Sequence, residues 1–317
     1  MSSTVWATDT PTELKAYGRA LVELAAARPE VVCIGADLTG PTETDLFRDT
    51  IGERFFNLGM AEANAVGVAA GMARAGDIPF VHTFSVFATR RAFDQIAMQV
   101  AYPRANVKLV GFMPGLTTPG GVTHQAIEDL ALMRSLPNMT VIEPADARQT
   151  RDAVTAAADY QGPVYLRLKR GEVPVMARAP DRAFSPGKSE VLRDGAGGVI
   201  FACGLMVTLA LEAADHLSRA GKQVAVVNVH TLKPLDSETI CTLAKRAGAV
   251  VTAENHSVIG GLGSAVAETL FEAGIRCRGT RVGIADTFAE GASPGYLFRK
   301  YGLSTDAIVG ACRGLGI

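Results

Sequence analysis

Glu62 is the first candidate for acid–base chemistry in this chain. It follows a candidate strand and opens a helix of small apolar residues, in the segment Gly59-Met60-Ala61-Glu62. A carboxyl group at this position either favours the positive end of the helix or, if it is buried, exchanges a proton with a ligand or accepts its hydrogen bonds. The local sequence leaves both interpretations open.

Two phenylalanines form the second candidate, and a histidine in a later loop forms the third. Phe84 and Phe87 stand three residues apart, where a predicted strand passes into a helix. They share one face of that turn, so they either pack in the core or offer a platform to a flat heteroaromatic ring. His124 ends a loop rich in Gly, Thr and Pro, and can exchange protons with a substrate. Thr123 before it can equally cap a helix.

Two further segments carry weaker signals. The basic cluster Arg167-Leu168-Lys169-Arg170 ends a predicted strand, where it could hold a phosphate or carboxylate or be a solvated charge cluster. The segment Gly260-Gly261-Leu262-Gly263 follows another predicted strand. It lacks the spacing of the dinucleotide-binding fingerprint, so it is a weak indication of nucleotide binding.

Alternating strands and helices would position these segments. Short, continuously apolar runs predict buried parallel strands, and the stretches between them predict helices. Strands are predicted at 31–36, 54–58, 78–82, 107–112, 139–142, 164–168, 198–203, 223–229, 249–253 and 280–284. Helices are predicted at 10–27, 61–75, 87–101, 124–135, 145–158, 206–220, 237–247, 262–273 and 305–312. This order predicts the α/β class, with mainly parallel sheets flanked by helices.

Length and composition narrow the class of protein. The 317 residues predict two domains, which the pattern divides into 1–175 and 188–317 with a linker at 176–187. A net charge of −1 argues against nucleic-acid binding. No apolar run reaches the roughly 18 residues of a membrane span, and the N-terminus does not resemble a signal peptide. Five scattered cysteines predict reduced thiols in a cytoplasmic protein.

Taken in order, these segments resemble the C-terminal section of transketolase, in the form whose two halves are separate polypeptides. The resemblance covers essentially the whole chain and depends on collinear segments. They are Ala36-Asp37-Leu38-Thr39, Gly59-Met60-Ala61-Glu62, Thr83-Phe84-Ser85-Val86-Phe87, Thr123-His124-Gln125, Glu143-Pro144-Ala145-Asp146, Lys233-Pro234-Leu235-Asp236 and Glu254-Asn255-His256-Ser257. The resemblance implies a pyrimidine-binding domain, a transketolase C-terminal domain, and transfer of a two-carbon ketol unit from a ketose phosphate to an aldose.

The resemblance also implies a thiamine diphosphate site. Glu62 stands where the family has the glutamate that hydrogen-bonds the aminopyrimidine ring and promotes its imino tautomer. Phe84 and Phe87 match aromatic residues that pack around that ring, and Asp37 matches an aspartate that lines the cofactor region. These roles agree with the chemistry expected from the residue types alone.

For the substrate, the resemblance implies three contacts. His124 matches a histidine that contacts sugar hydroxyls or assists proton transfer, and Arg170 lies near a family arginine that binds the sugar phosphate. Arg90 replaces a common tyrosine and is expected to contact substrate. Thr118-Pro119-Gly120-Gly121 replaces the family's Gly-Glu-Asp-Gly, and Gly111-Phe112-Met113-Pro114 stands where the family has Gly-Ser-His. Loss of these polar groups suggests a deoxy, amino, sulfo or branched sugar phosphate.

One family element is missing from these residues. The Gly-Asp-Gly motif that supplies hard oxygen ligands for Mg²⁺ and the diphosphate does not occur. We therefore expect no metal ligands in this chain, an N-terminal transketolase subunit as partner, and an α2β2 assembly. The alternatives are the β subunit of a 2-oxoacid dehydrogenase, a deoxyxylulose-phosphate-synthase-like enzyme, or a non-enzymatic regulatory subunit, although the last has no need of Glu62.

Overall fold

The computed structural model describes residues 5–6, 10–176 and 184–317. Their strands, numbered in chain order, are β1 (Thr12–Leu14), β2 (Val31–Gly35), β3 (Phe55–Asn57), β4 (Ile78–Phe84), β5 (Lys108–Phe112), β6 (Thr140–Ile142), β7 (Val164–Leu168), β8 (Glu172–Pro174), β9 (Glu190–Arg193), β10 (Val199–Ala202), β11 (Ala225–Asn228), β12 (Thr231–Lys233), β13 (Ala249–Ser257) and β14 (Arg278–Ile284).

Helices lie between these strands. They are α1 (Ala16–Ala27), α2 (Asp45–Thr50), α3 (Glu62–Ala75), α4 (Phe93–Gln95), α5 (Asp129–Ser135), α6 (Ala147–Asp159), α7 (Met206–Arg219), α8 (Ser237–Ala247), α9 (Leu262–Glu272), α10 (Pro294–Lys300) and α11 (Thr305–Gly314). A 3-10 turn at Gly52–Arg54 precedes β3, and two wide π-type turns, Phe87–Arg91 and Ile96–Ala101, flank α4. In the described part of the chain, no helix is both long and apolar enough to cross a membrane.

Two mainly parallel sheets form the centre of the molecule. The first has seven strands in the order β12-β6-β7-β5-β4-β2-β3, and the second has five in the order β14-β13-β10-β11-β9. Strands β2, β4, β5 and β7 are buried along their whole length, as continuous apolar runs in parallel sheets require. The predicted α/β class with two mainly parallel sheets is confirmed.

Several local predictions were wrong for physical reasons. The helix expected from residue 10 begins only at Ala16, because 12–14 pair antiparallel with β8. The helix expected from residue 124 begins only at Asp129, because residues before it belong to a loop held by tertiary contacts. Of the predicted linker at 176–187, residues 177–183 lie outside the described residues.

Strand β12 ties the two halves of the chain together. It comes from the second half but adds antiparallel to β6, at the edge of the first sheet. Lys233 in β12 also donates hydrogen bonds from Nζ to the carbonyl oxygens of Arg134 (2.8 Å) and Leu136 (2.6 Å). The domain ranges 1–175 and 188–317 remain a prediction, and in space the second range contributes to the first sheet.

Parallel order also fixes where a site can form. Strands β4, β5 and β7 are adjacent and parallel, so the loops that follow them leave the same edge of the sheet. Ligands of α/β sheets bind at this carboxyl edge. The segments that contain Phe84, His124 and Arg170 all leave the sheet here.

Candidate active site

Glu62 is a buried carboxyl group at the start of α3. Gly59 makes the turn that leads to it, with a φ of 74° that favours glycine, and its carbonyl accepts a hydrogen bond from the amide of Ala61 (2.7 Å). The side chain of Glu62 is 3% exposed. Both its oxygens accept hydrogen bonds from Nη1 of Arg91, at 3.1 and 2.9 Å. The carboxyl group is therefore buried, with an ionic partner, at the beginning of a helix.

Three aromatic rings meet where β4 ends. Phe84 ends β4, and the wide turn after it brings Phe87 back alongside, with ring centroids 6.0 Å apart and planes 20° apart. His124 approaches both rings edge-on, at 6.2 Å from Phe84 and 5.4 Å from Phe87. The two phenylalanines and the histidine predicted from the sequence thus form one cluster.

A tightly held loop carries His124 to that cluster. Its amide donates to the carbonyl of Gly121 (2.9 Å), and its Nδ1 lies 2.9 Å from the Thr123 hydroxyl. A Cβ at position 120 would lie 2.8 Å from Cβ of His124, so only glycine fits there with the histidine in this position. The loop thus fixes His124 and leaves Nε2 as the ring nitrogen able to exchange a proton.

Comparison with known proteins identifies the family. The profile of the transketolase pyrimidine-binding domain matches residues 10–176, and that of the transketolase C-terminal domain matches residues 187–308. The chain belongs to the transketolase family.

Relatives of similar length place it within that family. A 6-deoxy-6-sulfo-D-fructose transketolase subunit of a Clostridium species is 44% identical, over 96% of this chain and 93% of the relative. A protein of Methanocaldococcus jannaschii described as a transketolase C-terminal section is 41% identical, over 93% of each chain. A solved split-gene transketolase, described as an inactive β4 tetramer, has 49% identity and a TM-score of 0.88, over 95% of this chain and 97% of its own. The chain is a C-terminal section of a split transketolase, and so a transferase.

Two predicted site residues of this transketolase section lie apart from the ring cluster. Asp37 is exposed just after β2, with a φ of 58°, and its amide donates to Oδ1 of Asn57 (3.0 Å). Arg170 is exposed just after β7. Within the described residues, no hydrogen bond or ion pair joins either side chain to Glu62 or His124. Both face the carboxyl edge of the sheet, where their roles remain predictions.

The Arg90 side chain binds the loop that carries His124. Its guanidinium pairs with Glu128, with one contact of 2.8 Å, and donates to the carbonyls of Val122 (3.3 Å) and Gln125 (3.1 Å) on either side of His124. The structure therefore gives Arg90 the part of a positioning residue. The predicted contact of Arg90 with substrate remains a prediction.

A buried ion network behind the site was not expected. Arg167 is 0% exposed and donates to Asp129 (2.8 and 2.9 Å), Glu143 (2.6 Å) and the carbonyl of Asn255 (2.9 Å). Burial raises the pKa of Asp129, but the Arg167 guanidinium outweighs it, so the pKa lies below its usual value. An anion clamp at Arg167, Lys169 and Arg170 cannot include Arg167, because its charge is already neutralised by Asp129 and Glu143.

Arg91 is the site residue that sequence reasoning missed. Its Cζ lies 4.6 Å from the centroid of the Phe87 ring while Nη1 contacts Glu62. The signal was present in the sequence, because residues four apart on a helical turn face each other and an arginine favours an aromatic face. The pairing with Glu62, 29 residues earlier, had no local signal.

Proposed function

We propose that this chain is the subunit of a thiamine diphosphate-dependent split transketolase that transfers a two-carbon ketol unit from a ketose phosphate to an aldose acceptor. The observation that carries the proposal is the buried Glu62 carboxyl at the start of α3, next to the turn of Phe84 and Phe87. Transketolase-family proteins in general use this cofactor.

The residues present fit the aminopyrimidine part of the cofactor. A buried carboxyl group can hydrogen-bond a ring nitrogen, and parallel phenylalanine rings at 6.0 Å offer apolar faces to a flat heterocycle. When bound, thiamine diphosphate supplies a nucleophilic thiazolium carbon and an electron sink for carbon–carbon bond cleavage. Glu62 then orients the ring and controls a proton at one ring nitrogen.

His124 handles the substrate side of the reaction in this proposal. Thr123 engages its Nδ1, so Nε2 can hydrogen-bond a sugar hydroxyl or carry a proton to and from it. Arg90 holds the loop, so that the imidazole needs no reordering when substrate binds. Arg170, exposed at the same edge of the sheet, is proposed to bind the phosphate.

We propose further that the diphosphate and Mg²⁺ are held mainly by a separate N-terminal subunit. The described residues contain no group of three or more His, Cys, Asp or Glu that could hold a metal ion. The assembly would be α2β2, with sugar phosphates as substrates and the cytoplasm as its compartment.

Reconstitution from the two subunits tests whether this chain needs the N-terminal subunit for activity. We expect the purified chain to show no ketol transfer with thiamine diphosphate and Mg²⁺, and to gain it when mixed with an N-terminal section that contains the Gly-Asp-Gly motif. Co-purification and a coupled assay of both mixtures measure this. Ketol transfer at full rate by the chain alone would refute the split arrangement.

The loop of His124 supports a specialised sugar. Gly120 has no side chain for a hydroxyl contact, and a side chain there would collide with His124. A site without the polar partner of a hydroxyl no longer selects for that hydroxyl. The relative described as a 6-deoxy-6-sulfo-D-fructose transketolase subunit, 44% identical to this chain, supports a modified sugar as substrate.

A donor and acceptor panel checks this point. We expect a modified sugar phosphate or sulfonate to exceed the pair xylulose 5-phosphate and ribose 5-phosphate by about tenfold or more in kcat/KM, which corresponds to one or two lost hydrogen bonds. The panel uses the reconstituted enzyme and includes pyruvate, the donor expected of the dehydrogenase or synthase alternatives. Preference for the ordinary pentose phosphates would contradict the proposal of a specialised sugar but not the proposal of a split transketolase.

A further inference from the structure

We propose that Arg91 occupies the cofactor's aminopyrimidine position in the free chain, and that the cofactor must displace it to bind. This inference rests on the proposed function, because it takes Glu62 and Phe87 to be cofactor contacts. It assigns Arg91 the role of an internal competitor that keeps the unassembled site closed.

The Glu62 carboxyl group is already engaged by Arg91. Both oxygens of Glu62 bond to one nitrogen of Arg91, at 3.1 and 2.9 Å. The side chain of Glu62 is 3% exposed, so water has little access to either oxygen. The cofactor's ring nitrogen needs a hydrogen bond with the Glu62 carboxyl group, but in the free chain this group is already bonded to Arg91.

The Arg91 guanidinium also lies over the face of the Phe87 ring. Its carbon lies 4.6 Å from the ring centroid, in the range of a cation–π contact. A guanidinium is flat and carries N–H donors along its edge, as does an aminopyrimidine that is protonated at a ring nitrogen. The same side chain thus satisfies the two contacts, one polar and one aromatic, that a bound aminopyrimidine would make.

The Arg91 side chain can also leave this position. Its side chain is 50% exposed, so its outer part is already in water and can be hydrated fully when it swings out. It stands at the end of the wide turn Phe87–Arg91, an irregular helical geometry that is frequent at functional sites. Glu62 cannot move in the same way, because it is buried in the first turn of α3.

Cofactor binding by the isolated full chain tests the inference. We would titrate wild type and Arg91→Met with thiamine, which has no diphosphate, and with thiamine diphosphate plus Mg²⁺, using calorimetry. Arg91→Met keeps an apolar unbranched stem and removes the guanidinium. We expect its Kd for thiamine to fall by about tenfold or more, since a competing charge-assisted contact is lost. Arg91→Lys keeps a positive charge but lacks the flat guanidinium, so its Kd for thiamine should lie between those of wild type and Arg91→Met.

Two controls make the result specific. Arg74→Met removes an exposed arginine at the other end of α3 and should leave the Kd unchanged. The double variant Arg91→Met, Glu62→Gln should lose the tighter binding of Arg91→Met, because thiamine and thiamine diphosphate then have no carboxylate to bind. Circular dichroism and thermal unfolding establish that each variant is folded.

The outcomes separate this inference from the proposed function. Tighter thiamine binding by Arg91→Met supports the inference. Equal, weaker or undetectable binding by that variant overturns it, and weaker binding would mean that Arg91 contacts the cofactor itself. The proposed function is tested separately by thiamine diphosphate binding to the reconstituted two-subunit enzyme, and absence of binding there would overturn both.

Discussion

Glu62→Gln should reduce ketol transfer by the reconstituted enzyme about 10²-fold to 10⁴-fold, the usual contribution of a positioned acid or base. Glutamine has the same shape and can still hydrogen-bond a ring, but it cannot supply or accept the proton that the tautomer change requires. Glu62→Ala should abolish activity. Activity of either variant within about tenfold of wild type would contradict the assigned role.

Folding should survive both substitutions. Removing a buried carboxylate also removes its desolvation cost, and its partner Arg91 is half-exposed and can be hydrated. Thermal unfolding and co-purification with the N-terminal section check this. The matched control is Glu268→Ala, which breaks a partly exposed ion pair between Glu268 of α9 and Arg134 of α5 and should leave activity unchanged.

The sequence predicted those parts of the fold that depend on local pattern. The mainly apolar stretch at 164–168 predicted a strand and the amphipathic stretch at 237–247 predicted a helix, and both have these limits in the structure. Strands β1 and β12 have no such signal. Their backbone becomes extended because it pairs with strands distant in the chain, β8 and β6.

In the candidate site too, some features could be predicted from the sequence and others could not. Phe84 and Phe87 could be singled out in advance, because they follow a predicted parallel strand and α/β sheets bind ligands at the carboxyl ends of such strands, but their meeting with His124 could not. The pairing of Arg91 with Glu62 could not, nor could the partners of Arg167, which lie up to 88 residues away. Which of several arginines faces a carboxylate is decided by tertiary packing.

Arg167→Met should be the most damaging single substitution for stability, at a cost of about 3 to 5 kcal/mol in the free energy of unfolding. It removes the cation that faces two buried carboxylates, Asp129 and Glu143, and it breaks the bond to the carbonyl of Asn255 in β13. Chemical denaturation followed by circular dichroism measures the loss. The control Arg246→Met breaks an exposed pair with Asp194 and should cost less than about 1 kcal/mol.

The pH dependence of this variant distinguishes uncompensated charge from lost packing. Burial raises the pKa of Glu143 even with Arg167 present, and without the guanidinium both carboxyl groups should bind protons more tightly folded than unfolded. A raised folded pKa gives stability that is present at low pH and is lost as pH rises through that pKa. The deficit of Arg167→Met should therefore be larger at pH 8 than at pH 5.5.

Neutralising the carboxylates should restore much of the lost stability. In the triple variant Arg167→Met, Asp129→Asn, Glu143→Gln, no buried charge is left in the network, and a neutral replacement of a buried ion network is often close to neutral in stability. Tyr165, which donates to Asp129 at 2.8 Å, keeps an acceptor in the asparagine carbonyl. A triple variant no more stable than Arg167→Met, with a deficit independent of pH, would mean that Arg167 acts by filling space between the two sheets.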